Sequence, residues 1–250
     1  MIPPIRHLMR GSLLILLLCV VLSDQAAAQS VNLDFGEGGS ATARIVQLVV
    51  LLTVVTLAPS ILLMVTSFTR IVIVLSLLRT ALGTQGAPPN SVMISLALFL
   101  TFFIMQPTLE QAYESGIAPL IDEQITEEQA LDRTLAPVRA FMIRHVREKD
   151  VDLFRQIANV GPIDNLSEMP LRVIVPAYMI SELRRAFEIG FLLFVPFLII
   201  DMVVASVLMS MGMMMLPPVI IALPFKIIFF VLVDGWYMTV GSLVKSFGAG

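Results

Sequence analysis

The sequence predicts an all-α membrane protein in which two apolar helical hairpins, each turning at a Pro-Pro pair, flank a helical periplasmic segment. Three observations carry this expectation. Composition leans towards lipid, with 57% hydrophobic and 14% charged residues and a mean hydropathy of +0.91, where a soluble domain carries about 25% charged residues. Charge is also segregated: Ile45 to Thr69 has none, Thr80 to Leu109 is largely apolar, and Ile189 to Phe225 holds Asp201 alone. Finally, both apolar blocks contain a proline pair near the middle, Pro88-Pro89 and Pro217-Pro218. Proline cannot donate to the helix ladder and disfavours helix in the residue before it, so two in a row separate antiparallel helices.

Residues 1–28 read as a cleaved signal peptide. Arg6, His7 and Arg10 precede an apolar run from Leu13 to Leu22, and Ala26-Ala27-Ala28 supplies a small-residue cleavage site. That run is too short to span a bilayer comfortably. The sole cysteine, Cys19, lies inside it, so the mature chain is expected to have neither disulfides nor thiolate chemistry. Residues 29–44 follow as a periplasmic N-terminal segment.

The first hairpin occupies 45–109. Its first arm, Ile45 to Leu78, would be roughly 50 Å long as one helix, against a hydrocarbon core of about 30 Å. The arm also contains Arg70. Either it protrudes or it packs mainly against protein. The second hairpin, 189–250, runs from Ile189 to Leu216 and returns through Val219 to Val244. Each first arm carries an internal proline, Pro59 or Pro196, where a kink is expected. With an exported N-terminus the turn bearing Arg79 is cytoplasmic, in accord with the positive-inside rule.

Between the hairpins, residues 110–188 hold 14 acidic and 9 basic side chains, most of the 19 and 16 in the whole chain. This part must lie outside the lipid. Thr126 followed by Glu127, Glu128 and Gln129 has the form of a capping box, and Leu131, Leu135, Val138, Phe141, Met142 and Val146 recur at helical spacing. Pro137 is expected to divide that helix. A second amphipathic turn, Val151 to Val160, precedes Gly161-Pro162. The charged stretch Arg144 to Asp152 reads as a solvated face, with His145 on the surface.

No catalytic, cofactor or metal site is expected. The patterns G-x-S-x-G, H-E-x-x-H, Walker A and G-x-G-x-x-G are all missing from the sequence. A net charge of -3 offers no basic stripe for nucleic acid. Asp201 and Asp234 are acids in apolar surroundings, but Val233-Asp234-Gly235-Trp236 lacks the glycine before aspartate of intramembrane aspartyl proteases. Together with Arg70 they could serve a proton or small-solute relay, or be paired structural charges. Arg70, Asp201, Lys226 and Asp234 all need partners, which argues for hairpins buried inside an oligomer. The most unusual local feature is Met209-Ser210-Met211-Gly212-Met213-Met214-Met215-Leu216, ahead of Pro217-Pro218, with five of the 15 methionines within seven residues. Methionine is flexible and polarizable, so such a cluster repeated around an axis makes a compliant seal; the plainer reading is one more apolar turn.

These motifs converge. The chain closely resembles the FliP family of flagellar biosynthetic proteins over essentially the whole mature sequence. The resemblance rests on Thr66-Ser67-Phe68-Thr69-Arg70 and the helix continuing to Arg79, on Gly83-Thr84-Gln85 with Pro88-Pro89-Asn90, and on Leu98 to Phe103. It continues through Pro176-Ala177-Tyr178-Met179-Ile180-Ser181-Glu182-Leu183, Pro196 to Val203, the methionine run and Val233-Asp234-Gly235-Trp236. It implies a non-enzymatic subunit of the type III export gate in the inner membrane and flagellar basal body. Such gates are helical homo-oligomers of about five copies, joined by FliQ, FliR and other basal-body export proteins, that pass unfolded flagellar substrates. The family's methionine gasket maps onto Met213, Met214 and Met215, with Met209 and Met211 nearby.

Overall fold

A computed structural model describes residues 41–161, 165–213 and 215–248. The expected signal peptide, most of the segment 29–44, Pro162 and Met214 lie outside these residues. Among the described residues the chain is helical throughout, with no strand. It divides into two compact units, Met1–Val54 and Val55–Gly250. The described part of the first, residues 41–54, is helical, and its side chains from Ile45 on are exposed.

Helix α1 (Ala41–Val65) runs through Pro59 and is followed by α2 (Phe68–Leu82). The first arm is therefore two helices rather than one rod, broken at Thr66-Ser67. Local hydroxyls and a remote phenol make the break tolerable. Thr69 Oγ1 donates to Leu63 O (3.2 Å), and the Tyr178 hydroxyl donates to Thr66 O (2.9 Å), so carbonyls freed at the end of α1 are satisfied. Gly83 then ends α2 in the left-handed region (φ 73°), a conformation that costs glycine little. The first turn follows, with a cis Ala87–Pro88 peptide and Pro89 as the residue before α3. Arg79 holds it together, donating to Pro88 O (3.2 Å) and Asn90 Oδ1 (2.6 Å).

Helix α3 (Asn90–Ala112) passes directly into a π-turn (Tyr113–Ile117) and α4 (Ala118–Ile121), a continuous helix of 32 residues. The boundary at 109/110 thus marks where charge begins along a helix. The π-turn seats Gly116 against the next helix, α5 (Glu127–His145), where an added Cβ would lie 2.1 Å from Thr134 Oγ1 and 2.8 Å from Ala130 O. Thr126 caps α5 by accepting from Gln129 N. Contrary to expectation, α5 runs unbroken through Pro137. A proline at 137 leaves the carbonyl of residue 133 without its helical donor, and Ser115 Oγ reaches it at 3.1 Å, sharing its proton with Gln111 O at 2.6 Å.

After α6 (Glu148–Ile157) and a 3₁₀ turn (Leu166–Glu168), helix α7 (Leu171–Ser210) runs 40 residues through Pro176 and Pro196. It crosses the 188/189 boundary without interruption. The second turn leads to α8 (Pro218–Leu232), with Pro217 before it and Pro218 as its first residue. The return arm is again two pieces: α8 and α9 (Gly235–Lys245) meet at 63°. Asp234 takes a left-handed conformation there (φ 51°, ψ 52°), which Asp tolerates better than most residues, and Gly235 lies so close to the Phe230 ring that a Cβ would sit 2.1 Å from it.

Helix α2 is the hub of the second unit. Arg70, Ile71, Val74, Leu75 and Leu78 are buried on it, packed with Met105 of α3, Phe141 and Met142 of α5, Val173, Ala177 and Tyr178 of α7, and Leu243 of α9. A second cluster gathers Leu78, Ala81, Leu82, Phe197 and Phe230. Gly190 allows α7 to approach α2 closely, since its Cβ would fall 2.3 Å from Leu77 Cδ1. Among the described residues three helices are long and apolar enough to cross a membrane, Ile45–Val65, Asn90–Ile121 and Leu171–Ser210, with the bent pair α8 and α9 as a fourth. Their outward faces expose Phe99, Phe102, Phe103, Phe191, Leu192 and Ile199, side chains that suit lipid or a neighbouring subunit.

Gly116→Ala should wedge α5 away from the π-turn and destabilise the protein by about 1–3 kcal/mol. Thermal unfolding in detergent, with Gly161→Ala as the control in open space, reads this; equal melting of the two variants would refute the packing argument.

Candidate functional site

Arg70 is 2% exposed and Glu182 0%. They form a two-pronged ion pair, Nε to Oε2 at 2.8 Å and Nη2 to Oε1 at 2.5 Å. The remaining guanidinium nitrogen, Nη1, donates to Ser246 O and Ser246 Oγ, each at 3.0 Å. The Phe247 ring lies 3.6 Å from the guanidinium carbon. Burial of a charge this deep is tolerated only when its hydrogen-bonding capacity is filled, and here α7 and the residues just after α9 supply the partners. Arginine suits the place because its planar fork matches a carboxylate. Sequence alone showed that Arg70 needs a partner; Glu182 sits in the quoted Ser181-Glu182-Leu183 block, 112 residues away, and nothing local to Arg70 points to it.

Asp201 and Lys226 make a second pair. Lys226 Nζ donates to Asp201 Oδ2 (2.6 Å) and to Ala81 O (3.1 Å), so α7, α8 and the end of α2 are joined at one point. Asp201 Oδ1 is buried with no hydrogen-bond partner among the described residues. Asp234, grouped with the embedded charges on sequence, is instead exposed at the bend before α9 and makes no capping hydrogen bond. It belongs to neither pair.

The charged stretch after α5 departs from a solvated face. Asp150 is buried, receives two bonds from Arg147 (2.9 and 2.8 Å) and one from Ser181 Oγ (2.6 Å), while Ser181 Oγ accepts from Arg147 N (3.1 Å). This network fastens α6 to α7. His145 is half-buried instead of on the surface, its ring tilted against Phe141 and Phe247 with centroids at 4.6 and 5.3 Å.

The methionines of the second turn lie outside the buried core. Met209, Met211, Met213 and Met215 are all exposed, Met215 to 98%. The turn is shaped by Gly212 in the left-handed region (φ 74°) and by Met213 N donating to Leu208 O (3.0 Å). Pro217 and Pro218 close the turn, as Pro88 and Pro89 do in the first hairpin. Beneath it, α7 and α8 enclose an apolar groove of about 540 Å³ lined by Val203, Val207, Ile221 and Phe225. Among the described residues, no group of three or more His, Cys, Asp or Glu side chains could hold a metal ion.

The FliP family profile matches residues 51–243 of the chain, which includes both ion pairs and the methionine turn. The chain belongs to the FliP family. It is 57% identical to the flagellar biosynthetic protein FliP of Caulobacter vibrioides over 96% of this chain and 90% of the relative. Against the FliP proteins of Bacillus subtilis and Pectobacterium carotovorum the identities are 57% and 55%, covering 81% and 84% of this chain and 91% and 82% of those. In this chain the deeply buried charges are engaged with one another, and Met209, Met211, Met213 and Met215 are exposed.

Arg70→Ala strands a buried carboxylate and should cost about 3–5 kcal/mol, whereas Arg70→Met combined with Glu182→Leu should recover most of that loss. Comparing melting of single and double variants in detergent checks it; if both melt alike, the ion pair is not what the fold depends on.

Proposed function

We propose that this chain is a pore-forming subunit of the flagellar type III protein export gate. In that reading several copies associate in the inner membrane with FliQ and FliR and with other basal-body export proteins, and unfolded flagellar proteins leave the cytoplasm between them. A signal peptide ending at Ala28 directs insertion. Its similarity to proteins named for flagellar biosynthesis supports the flagellar setting over an injectisome one.

The observation that carries the proposal is the exposed methionine turn. Four thioether side chains protrude at the end of a hairpin whose own core leaves them uncovered. Brought together around an axis, such turns close a channel with flexible apolar groups that exclude water and ions yet yield to a passing chain. Met214, between Met213 and Met215, belongs to the same seal on sequence. The hairpin beneath is braced by the Lys226–Asp201 bond, which ties α8 to α7.

A relay for protons or small solutes draws less support. Arg70 is bonded to Glu182 and Asp201 to Lys226, and Asp234 stands apart from both; paired charges of this kind act structurally. Asp201→Asn separates the readings: loss of assembled complex fits a structural pair, and lost transport from an intact complex fits a relay.

Replacing Met213, Met214 and Met215 together by Ala should raise ion conductance through the assembled complex while leaving its assembly intact. Bilayer conductance measured against wild type decides this, and unchanged conductance from a fully assembled mutant would remove the methionines from the seal.

A further inference from the structure

A cleft of about 500 Å³ opens between α3, α5 and the end of α9, a volume in the range of small-ligand sites. Phe103 and Ile104 form one apolar wall, Phe141 and Phe247 the floor, and Thr108 and Arg144 the polar rim. Neither polar group is used elsewhere. Among the described residues Arg144 has no ion-pair or hydrogen-bond partner, and it also borders a second cleft beside Asp132 and Arg139. Thr108 is 3% exposed, lines the cleft, and its hydroxyl has no hydrogen-bond partner among the described residues. His145 contributes ring surface only, since Nδ1 faces Phe141 O at 2.8 Å and Nε2 faces Phe247 O at 3.3 Å. The Arg70–Glu182 pair beyond Phe247 is internally neutralised, so it does not offset the charge of Arg144.

The free polar set is therefore a cation and a hydroxyl, the chemistry that binds a phosphate: a guanidinium pairs with two of its oxygens, and a hydroxyl donates to a third. The apolar side continues outwards. Phe103 is shared with an adjoining groove of about 390 Å³ that also has Phe99, Phe102 and Leu109 on its walls. Glu110, bonded to Gln106 at 3.0 Å, stands on the rim of that groove and repels an anion from it. Along α3 the uncharged stretch ends at Glu110, so Phe103 to Glu110 spans the change from hydrocarbon to headgroup chemistry. A ligand that is anionic at one end, apolar at the other and present at this depth is an acidic phospholipid.

We infer that the cleft between α3 and α5 binds an anionic phospholipid, its phosphate held by Arg144 and Thr108 and one acyl chain laid over Phe103 towards Phe99. Because Arg144 is exposed and unpaired, its replacement leaves the fold intact, and the site can be tested by removing one side chain at a time.

The full-length protein, extracted as its assembled complex and stripped of native lipid, is exposed to equal amounts of phosphatidylglycerol and phosphatidylcholine and examined by native mass spectrometry. Phosphatidylglycerol should be retained about tenfold over phosphatidylcholine, the scale of one charge-assisted hydrogen bond. Arg144→Gln should abolish the preference, and Thr108→Val should reduce it with complex assembly unchanged. Equal retention of the two lipids by the wild type, or an Arg144→Gln variant as selective as the wild type, overturns the proposal. Displacement of the lipid by millimolar inorganic phosphate would show an anion site without lipid specificity and overturns it too. So would a photocrosslinker at Phe103 that captures only a protein neighbour in native membranes.

Discussion

The charge of Arg70 is the constraint around which the second unit is built. A guanidinium at 2% exposure must have its donors filled, and the chain meets this with a carboxylate from α7, a carbonyl and hydroxyl beyond α9, and an aromatic face. The Tyr178 hydroxyl bonds Thr66 O one turn before Glu182 meets Arg70. Residues four apart along the chain thus face each other in register, Thr66 at the break and Arg70 on α2 opposite Tyr178 and Glu182 on α7. Sliding α2 along α7 by one turn would break both links and leave a buried ion without its counter-ion. Apolar packing around Ile71, Val74 and Leu75 tolerates sliding far better, because hydrophobic burial is non-directional.

The Lys226–Asp201 contact does the same for the second hairpin, tying α8 to α7 and reaching the last turn of α2 through Ala81 O. Between the two locks the interior is aliphatic and aromatic, while the outside of α3, α7 and α8 is apolar as well. A protein greasy on both sides has no hydrophobic reason to prefer one helix arrangement over another in lipid. Directional polar contacts supply that preference, and each embedded charge on α2, α7 or α8 is spent on a neighbour within the chain.

Helix interruptions follow a related logic. At Pro137 and at the end of α1, a hydroxyl near in space reaches a freed carbonyl: Ser115 at Arg133 O, and Thr69 and Tyr178 at Leu63 O and Thr66 O. Glycine supplies the other need, close approach, at Gly116 against α5 and Gly190 against α2. These devices let long helices bend and cross without exposing backbone polar groups at membrane depth. They leave the two hairpin turns as the places where the chain presents flexible side chains outward, and in the second turn those are the methionines.

Class, helix content and hairpin turns were determined by composition, charge segregation and the two proline pairs, because these are local properties: hydropathy acts residue by residue, and proline removes its own donor wherever it stands. The cap at Thr126 and the methionine turn were legible for the same reason. Only the tertiary structure decided that Arg70 meets Glu182 across 112 residues, that α5 survives Pro137, that Asp150 and His145 turn inwards, and that Asp234 stays outside both ion pairs. Each of those outcomes depends on a donor or acceptor delivered by a distant part of the chain, and separation along the sequence carries no record of which polar group arrives to complete another.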